Sequence, residues 1–255
     1  MKTLAAILAP LVFIGLLLAG WEAACRLLAV PSYFLPAPSA IGQALAENLP
    51  LLARSGWNTL TTALWALLTA SLLASLLALA AGLSGLVERA IQPVLVTLQV
   101  TPVIAIAPLV TIWAGLEHPE RAVIGLAAVV AFFPVFSGAL TGLKAVDPDL
   151  ERLFDLYGAT RWQKLTRLRL PTAVPFLLEG HKVAAGLAVV GAVVAEFGAG
   201  SGGSQGLAWR ILEASNRLQT AKAFAALLVL AVMGAALYAI LQFAERRALV
   251  WWRGR

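Results

Sequence analysis

Few side chains in this sequence have the types and spacing that catalysis needs. The 255 residues include two histidines, His118 and His181, and one cysteine, Cys25, so neither a Cys/His metal cluster nor an intrachain disulfide can form. The 13 Asp and Glu residues fall mostly in connecting segments, and neither histidine has an obvious catalytic neighbour. The glycine-rich stretch 198–206 has no lysine, unlike a phosphate-binding loop, and we predict a flexible turn there. The sequence therefore predicts no catalytic centre, no ATPase site and no cofactor bound by this chain.

A few polar residues lie within long apolar stretches. An acid inside a membrane is costly and often functional, which makes Glu196 a candidate; the alternative is an interfacial residue paired with a neighbour such as Arg210. Gln99, Thr101 and Pro102 bring polarity and a proline to another stretch. A proline kinks a helix and frees carbonyl groups that can line a pathway, although polar groups can equally hold helices together. We predict a possible translocation path at Gln99, Thr101, Pro102 and Glu196.

The composition identifies the surroundings of these residues as a membrane. Hydrophobic residues make up 60% of the chain, charged residues 13%, and the mean hydropathy is +0.86. A soluble domain carries roughly 25% charged residues. The net charge of +6 could suggest nucleic acid, but the Lys and Arg residues lie between hydrophobic spans rather than on one soluble face. A membrane protein that faces an anionic leaflet shows the same excess of positive charge, so we predict no nucleic-acid partner.

About six stretches are long and apolar enough to span a bilayer as helices. Ala and Leu dominate them, and the period-two alternation of a membrane barrel is absent. We predict an all-α membrane protein with a single domain over residues 1–255. The first stretch resembles a signal peptide, but Glu22 disfavours a cleavage site at Cys25, and we expect an uncleaved helix. The predicted spans are residues 4–28, 57–83, 91–116, 122–143, 172–197 and 221–243.

Basic residues predict the orientation of the chain. Lys and Arg are more abundant around residue 2, near residue 89, in the connection 144–171 and at the C-terminus than in segments 29–56, 117–121 and 198–220. Cytoplasmic segments carry this excess, so both termini and the connection 144–171 are expected in the cytoplasm.

The connection 144–171 predicts two short amphipathic helices. Asp147 and Pro148 suit the start of the first helix, Gly158 suits its end, and Thr160 can cap the second helix before Pro171 opens the next span. Apolar residues follow helical spacing in the first helix at Leu150, Leu153, Phe154 and Tyr157, and in the second at Trp162, Leu165 and Leu168. Such a pair could lie on the membrane surface or serve as a docking element for a cytoplasmic partner.

The same connection resembles the cytoplasmic coupling loop of binding-protein-dependent ABC permeases. Their motif reads Glu-Ala-Ala, three residues, Gly, nine residues and Ile-x-Leu-Pro. Gly158 matches its glycine, residues 168–171 match its ending, and residues 158–163 resemble the Gly-Ala-Ser-Arg-Trp-Gln of the nitrate, sulfonate and taurine branch. The chain departs from the motif at residues 152–154, where Arg-Leu-Phe replaces Glu-Ala-Ala. Residues 35–39 and 101–109 also resemble segments of that branch.

The resemblance implies the type I permease fold of an ABC importer in the bacterial inner membrane. It implies a cytoplasmic ATPase dimer that holds ATP and Mg, a periplasmic or lipid-anchored solute-binding protein, and a second permease copy. The residues implied in ATPase coupling are Asp147, Leu150, Glu151, Leu153, Phe154, Asp155, Tyr157, Gly158, Ala159, Thr160, Arg161, Trp162 and Gln163.

Two other classes of membrane protein are alternatives to the permease. A self-contained secondary transporter or channel often shows inverted repeats and charges at mid-membrane, and a membrane enzyme needs a polar catalytic cluster. Neither pattern is evident. The branch imports nitrate, alkanesulfonates, taurine or pyrimidine precursors of thiamine, and residues 216–224 resemble the pyrimidine-precursor type.

Overall fold

The computed structural model describes residues 2–115, 117–199 and 205–252, and every regular element in these ranges is helical, as predicted. The predicted turn at 198–206 falls largely on residues 200–204, which lie outside the described ranges. In chain order, the helices are α1 (Lys2–Leu27), α2 (Pro38–Leu83), α3 (Gly85–Val100), α4 (Val103–Ala114), α5 (Pro119–Lys144), α6 (Pro148–Leu156), α7 (Arg161–Lys164), α8 (Leu170–Ala199), α9 (Leu207–Asn216) and α10 (Thr220–Trp252), with a π-helical turn at Leu165–Arg169 between α7 and α8.

Each predicted span coincides with helical structure. Four helical segments in the described part are long and apolar enough to cross a membrane, and a bent pair of helices makes a fifth candidate. Helix α1 covers the first predicted span. Two features were not predicted: α2 begins at Pro38, well before its apolar half, and the polar segment before the last span contains α9.

The third predicted span is not one kinked helix but two helices, α3 and α4, which meet at 103°. Pro102 has no backbone N–H to donate, and it disfavours helical geometry at the residue before it. Thr101 accordingly adopts an extended conformation with φ −71° and ψ 125°. Its N–H and its hydroxyl both donate to the carbonyl of Thr97, at 3.1 Å and 2.7 Å, so the end of α3 is capped.

The chain divides into two compact units, and the first comprises residues 1–57 and 205–231. In this unit the rings of Trp21 and Phe224 lie 6.1 Å apart. The Glu22 carboxylate accepts hydrogen bonds from the Ser39 backbone N–H at 2.9 Å and from Arg26 at 2.6 Å. The ring contact joins α1 to α10, and the bond from Ser39 joins α1 to the start of α2.

The second unit comprises residues 58–204 and 232–255, and its core is the packing of α5 against α8. Small residues let the two backbones approach closely. A Cβ atom added to Gly138 would lie 2.7 Å from the Phe176 carbonyl oxygen, and one added to Gly180 would lie 2.7 Å from that of Pro134. The loop 144–171 connects α5 to α8, so both of its ends are attached to closely packed helices.

Candidate functional site

The first helix of the loop, α6, begins as predicted. The Asp147 carboxylate accepts a hydrogen bond from the Asp149 N–H at 2.9 Å, and Pro148 occupies the first turn. Asp149 and Glu151 place negative charge in the first turn, which suits the positive end of the helix dipole. No residue of α6 is buried. The helix therefore has local reasons to form, and its apolar side chains all stay at least partly exposed.

Gly158 ends α6 in the predicted way. Its φ of +66° is a left-handed conformation that favours glycine. The N–H groups of Gly158 and Ala159 donate to the carbonyls of Asp155 and Phe154, both at 2.9 Å. This pair of bonds is a Schellman motif, and it satisfies carbonyls that the end of a helix would otherwise leave open.

Thr160 starts the second helix through a capping box. Its hydroxyl accepts from the Gln163 N–H at 3.2 Å, and its own N–H donates to the Gln163 side-chain oxygen at 2.7 Å. The second helix differs from the prediction because it continues through the π-helical turn into α8 as one helical segment, Arg161–Gly198. Leu165 and Leu168 are buried, whereas Trp162 is 70% exposed.

Charged side chains hold the loop in shape. Lys164 pairs with Asp155 and so links the two loop helices. Arg169 pairs with Glu151 at 2.6 Å and also donates to the backbone carbonyl of Gly82 at 3.2 Å. Between the loop helices lies a hollow of about 280 Å³, lined by Leu153, Phe154, Tyr157, Ala159, Gln163 and Arg167.

The predicted coupling residues thus lie together in the two capped loop helices and the turn between them, and none of them is buried. Three large apolar side chains are prominently exposed there: Leu156 at 85%, Tyr157 at 83% and Trp162 at 70%. Leu150 and Leu153 are exposed as well. A surface of this kind is typical of a site that binds another macromolecule.

The four predicted pathway residues fall into two groups. Thr101 and Pro102 form the break between α3 and α4, and Gln99 lies two residues before Thr101. Gln99 also lines a largely apolar cavity of about 770 Å³ between α2, α3 and α5. Glu196 belongs to the second group and does not line this cavity.

Glu196 is buried, with 3% of its surface exposed, and accepts a hydrogen bond from the Thr59 hydroxyl at 2.9 Å. Thr59 is fully buried too. This contact joins α8 to α2. Arg210 forms a salt bridge with Glu213 at 2.8 Å, and its pairing with Glu196 stays a prediction. The Arg210 guanidinium holds the pKa of the Glu213 carboxyl below its usual range.

Sequence reasoning missed three of these contacts: Thr59 with Glu196, Arg169 with Glu151, and Arg169 with Gly82. Their partners are far apart in the sequence, so no local pattern could have identified them. Among the residues that the structure describes, no group of three or more His, Cys, Asp and Glu side chains could hold a metal ion.

Comparison with known proteins gives a consistent result. Residues 66–250 match the family described as binding-protein-dependent transport system inner membrane component. A probable ABC transporter permease protein of Haemophilus influenzae is 32% identical, covering 91% of this chain and 93% of the relative. The formylaminopyrimidine transport permease protein ThiX of Halalkalibacterium halodurans is 31% identical over 96% of both chains.

A solved structure shares the fold. A chain of an amino acid ABC transporter crystallised with histidines superposes with a TM-score of 0.64 at 18% identity, and the match covers 80% of this chain and 97% of the other.

Proposed function

Because the chain belongs to the family of binding-protein-dependent transport system inner membrane components, we propose that its loop 144–171 docks on the ATPase that drives transport. The chain is the membrane-spanning permease subunit of an ABC importer and is not itself an enzyme. Its partners as an importer permease are an ATPase and a solute-binding protein. The proposal concerns where the ATPase binds, and how.

The exposed apolar surface of α6 and α7 carries this proposal. Leu156, Tyr157 and Trp162 are large side chains that this chain leaves mostly uncovered, although both helices are fixed by caps and ion pairs. A fixed surface with exposed aromatic and aliphatic groups suits a protein cleft, because docking loses little conformational entropy.

The docking residues are those that the sequence predicted. The ATPase would hold ATP and Mg. The loop would be the part of this chain through which the nucleotide state of the ATPase affects the membrane helices. Switching between inward-open and outward-open states requires the ATPase to bind the two states differently. The proposed docking residues are Asp147, Leu150, Glu151, Leu153, Phe154, Asp155, Tyr157, Gly158, Ala159, Thr160, Arg161, Trp162 and Gln163.

Membership of the family supports a further proposal about assembly. Residues 1–255 would act as one permease domain in the bacterial inner membrane, paired with a second copy, with both termini and the loop in the cytoplasm. A periplasmic or lipid-anchored binding protein would deliver solute from the other side. Gln99, Thr101, Pro102 and Glu196 would contribute to the path, since they place polar groups and a break between two helices within apolar stretches of the chain.

The solute would be small. The relative named for formylaminopyrimidine transport matches almost the whole chain, which favours a thiamine pyrimidine precursor. Nitrate, alkanesulfonates and taurine are the other solutes of the branch that the sequence resembles.

The test is mild detergent purification of the tagged chain from its native host, followed by mass spectrometry and uptake assays. We expect an ATPase with a phosphate-binding loop to copurify. Proteoliposomes containing the complex and its binding protein should take up formylaminopyrimidine in an ATP-dependent manner, with taurine and nitrate as comparison solutes. A folded chain that emerges without an ATPase, even after crosslinking, would contradict the docking proposal and favour a self-contained transporter.

A further inference from the structure

The π-helical turn before α8 has a clear cause in the sequence. In a regular α-helix, Pro171 would face the carbonyl of Arg167, to which it cannot donate and with which its ring would collide. The chain widens instead: residues 165–169 form a π-helical turn, and the N–H of Leu170 donates to the carbonyl of Leu165, five residues earlier. Such turns often occur at functional sites because they redirect side chains.

The π-helical turn presents Arg169 to two different elements. Its Nη2 atom donates to Glu151 Oε1 of α6 at 2.6 Å, and its Nη1 atom donates to the Gly82 carbonyl at 3.2 Å. Gly82 lies in the last turn of α2, where carbonyls lack partners within the helix and the helix dipole favours a cation. One planar guanidinium therefore bridges the loop helix and the end of a membrane-length helix, which a lysine's single ammonium is poorly shaped to do.

The backbone around Arg169 is held in place by buried neighbours in the same turn. Leu165 and Leu168, in the same turn, are buried at 3% and 6% exposure, and Leu165 packs with Leu143 and Ala173 in one core cluster. The remaining ion pairs of α6 that the structure describes stay local: Arg152 pairs with Asp149 inside α6, and Asp155 pairs with Lys164 of α7. Within that set, the pair made by Arg169 is the one whose cation also bonds to α2, through the Gly82 carbonyl.

We propose that Arg169 is a positioning residue that makes the loop helix α6 and the C-terminal end of α2 move as one body when the ATPase changes state. This inference rests on the proposed function, because it assigns to one side chain the transfer of movement from the docking surface. Breaking the bridge would leave docking possible but would let α6 move without α2.

The experiment uses the full permease copurified with its ATPase. Cys25 is replaced by alanine, and spin labels are attached to cysteines introduced at Asp149 of α6 and Leu76 of α2, both exposed. The distance between the labels is measured without nucleotide and with ATP plus vanadate. With Arg169 present, we expect the same distance in both states. In Arg169→Met, the distance should shift by about 2 Å or more on nucleotide trapping, the scale of helix shifts in switching proteins.

Two further variants make the result decisive. Lys144→Met removes another ion pair of the same unit, Lys144 with Glu88, which does not involve α6. In this control variant, the distance between the two labels should be the same with and without nucleotide. Glu151→Gln removes the charged partner of Arg169 on α6 and spares the bond to Gly82, so the label-to-label distance should again shift on nucleotide trapping. If Arg169→Met fails to assemble, this variant alone tests the proposed role of Arg169.

The outcomes separate the two proposals. Loss of the ATPase from the unmutated complex would overturn the docking proposal and this inference with it. A retained ATPase with a state-dependent distance in the unmutated complex, or an invariant distance in both Arg169→Met and Glu151→Gln, would overturn the role of Arg169 alone.

Discussion

The α5–α8 interface and the loop that joins these helices both depend on glycine, for opposite reasons. At the interface Gly180 provides space, because a Cβ atom there would meet the Pro134 carbonyl oxygen at 2.7 Å. In the loop, Gly158 has open space around it and is needed for its φ of +66°. The helix pair is thus a closely fitted frame, whereas the loop is an exposed surface whose shape comes from its backbone and caps. The difference suggests that the frame supplies stability and the loop supplies contact with a partner.

The largest expected effect is on the frame. Gly180→Ala should lower the free energy of unfolding by about 1–3 kcal/mol, the usual cost of overpacking, because the new methyl group meets backbone that cannot turn away. Gly186→Ala in the same helix is the matched control, since nothing lies within 4 Å of its added Cβ; it should be neutral or stabilising. Thermal unfolding of the two purified variants provides the measurement, and equal melting temperatures would show that α5 and α8 do not pack this closely.

The next effect is on the loop. Gly158→Pro should abolish coupled transport while membrane insertion stays intact, because proline fixes φ near −65° and cannot adopt the +66° seen here. Gly158→Ala should be milder, at a cost of about 1–2 kcal/mol for a left-handed residue. Asparagine tolerates the left-handed conformation, so the control variant Gly158→Asn should retain coupled transport. The measurement is solute uptake per ATP hydrolysed in proteoliposomes, and normal uptake by Gly158→Pro would sink the coupling-loop assignment.

The smallest effect is expected at the cap of the second loop helix. Thr160→Ala removes one half of the capping box and should destabilise the local helix by about 1 kcal/mol, whereas Thr160→Ser should retain it. Faster hydrogen exchange of the amides at residues 161–163 is the expected signature. Equal exchange in the two variants would indicate that the π-helical turn and α8, rather than the cap, hold α7 in place.

Local features of the sequence predicted local structure well. Asp147, Gly158 and Thr160 were each assigned the capping role that the structure shows, because a cap depends on residues within one helical turn. The six apolar stretches likewise coincide with helices, since their length and composition suffice to indicate a membrane helix. The two-helix shape of the loop 144–171 was therefore predictable from local sequence.

Long-range geometry was not predictable in the same way. Pro102 indicated a kink, but the 103° angle between α3 and α4 depends on what each helix packs against. The partners Thr59 and Glu196 lie 137 residues apart, and Gly82 and Arg169 lie 87 apart. No pattern in a single sequence connects residues at such distances, and the π-helical turn that directs Arg169 became visible only in three dimensions.

The most direct test of the central claim is site-specific photocrosslinking in native membranes. With Cys25 replaced by alanine, a benzophenone is attached to a cysteine at Tyr157 on the loop, or at Trp113 of α4, which is equally exposed at 78%. The account predicts an adduct with the ATPase from position 157 and none from position 113. An ATPase adduct from position 113 alone, or none from position 157 in a complex that retains its ATPase, would contradict the assignment of the loop as the docking site.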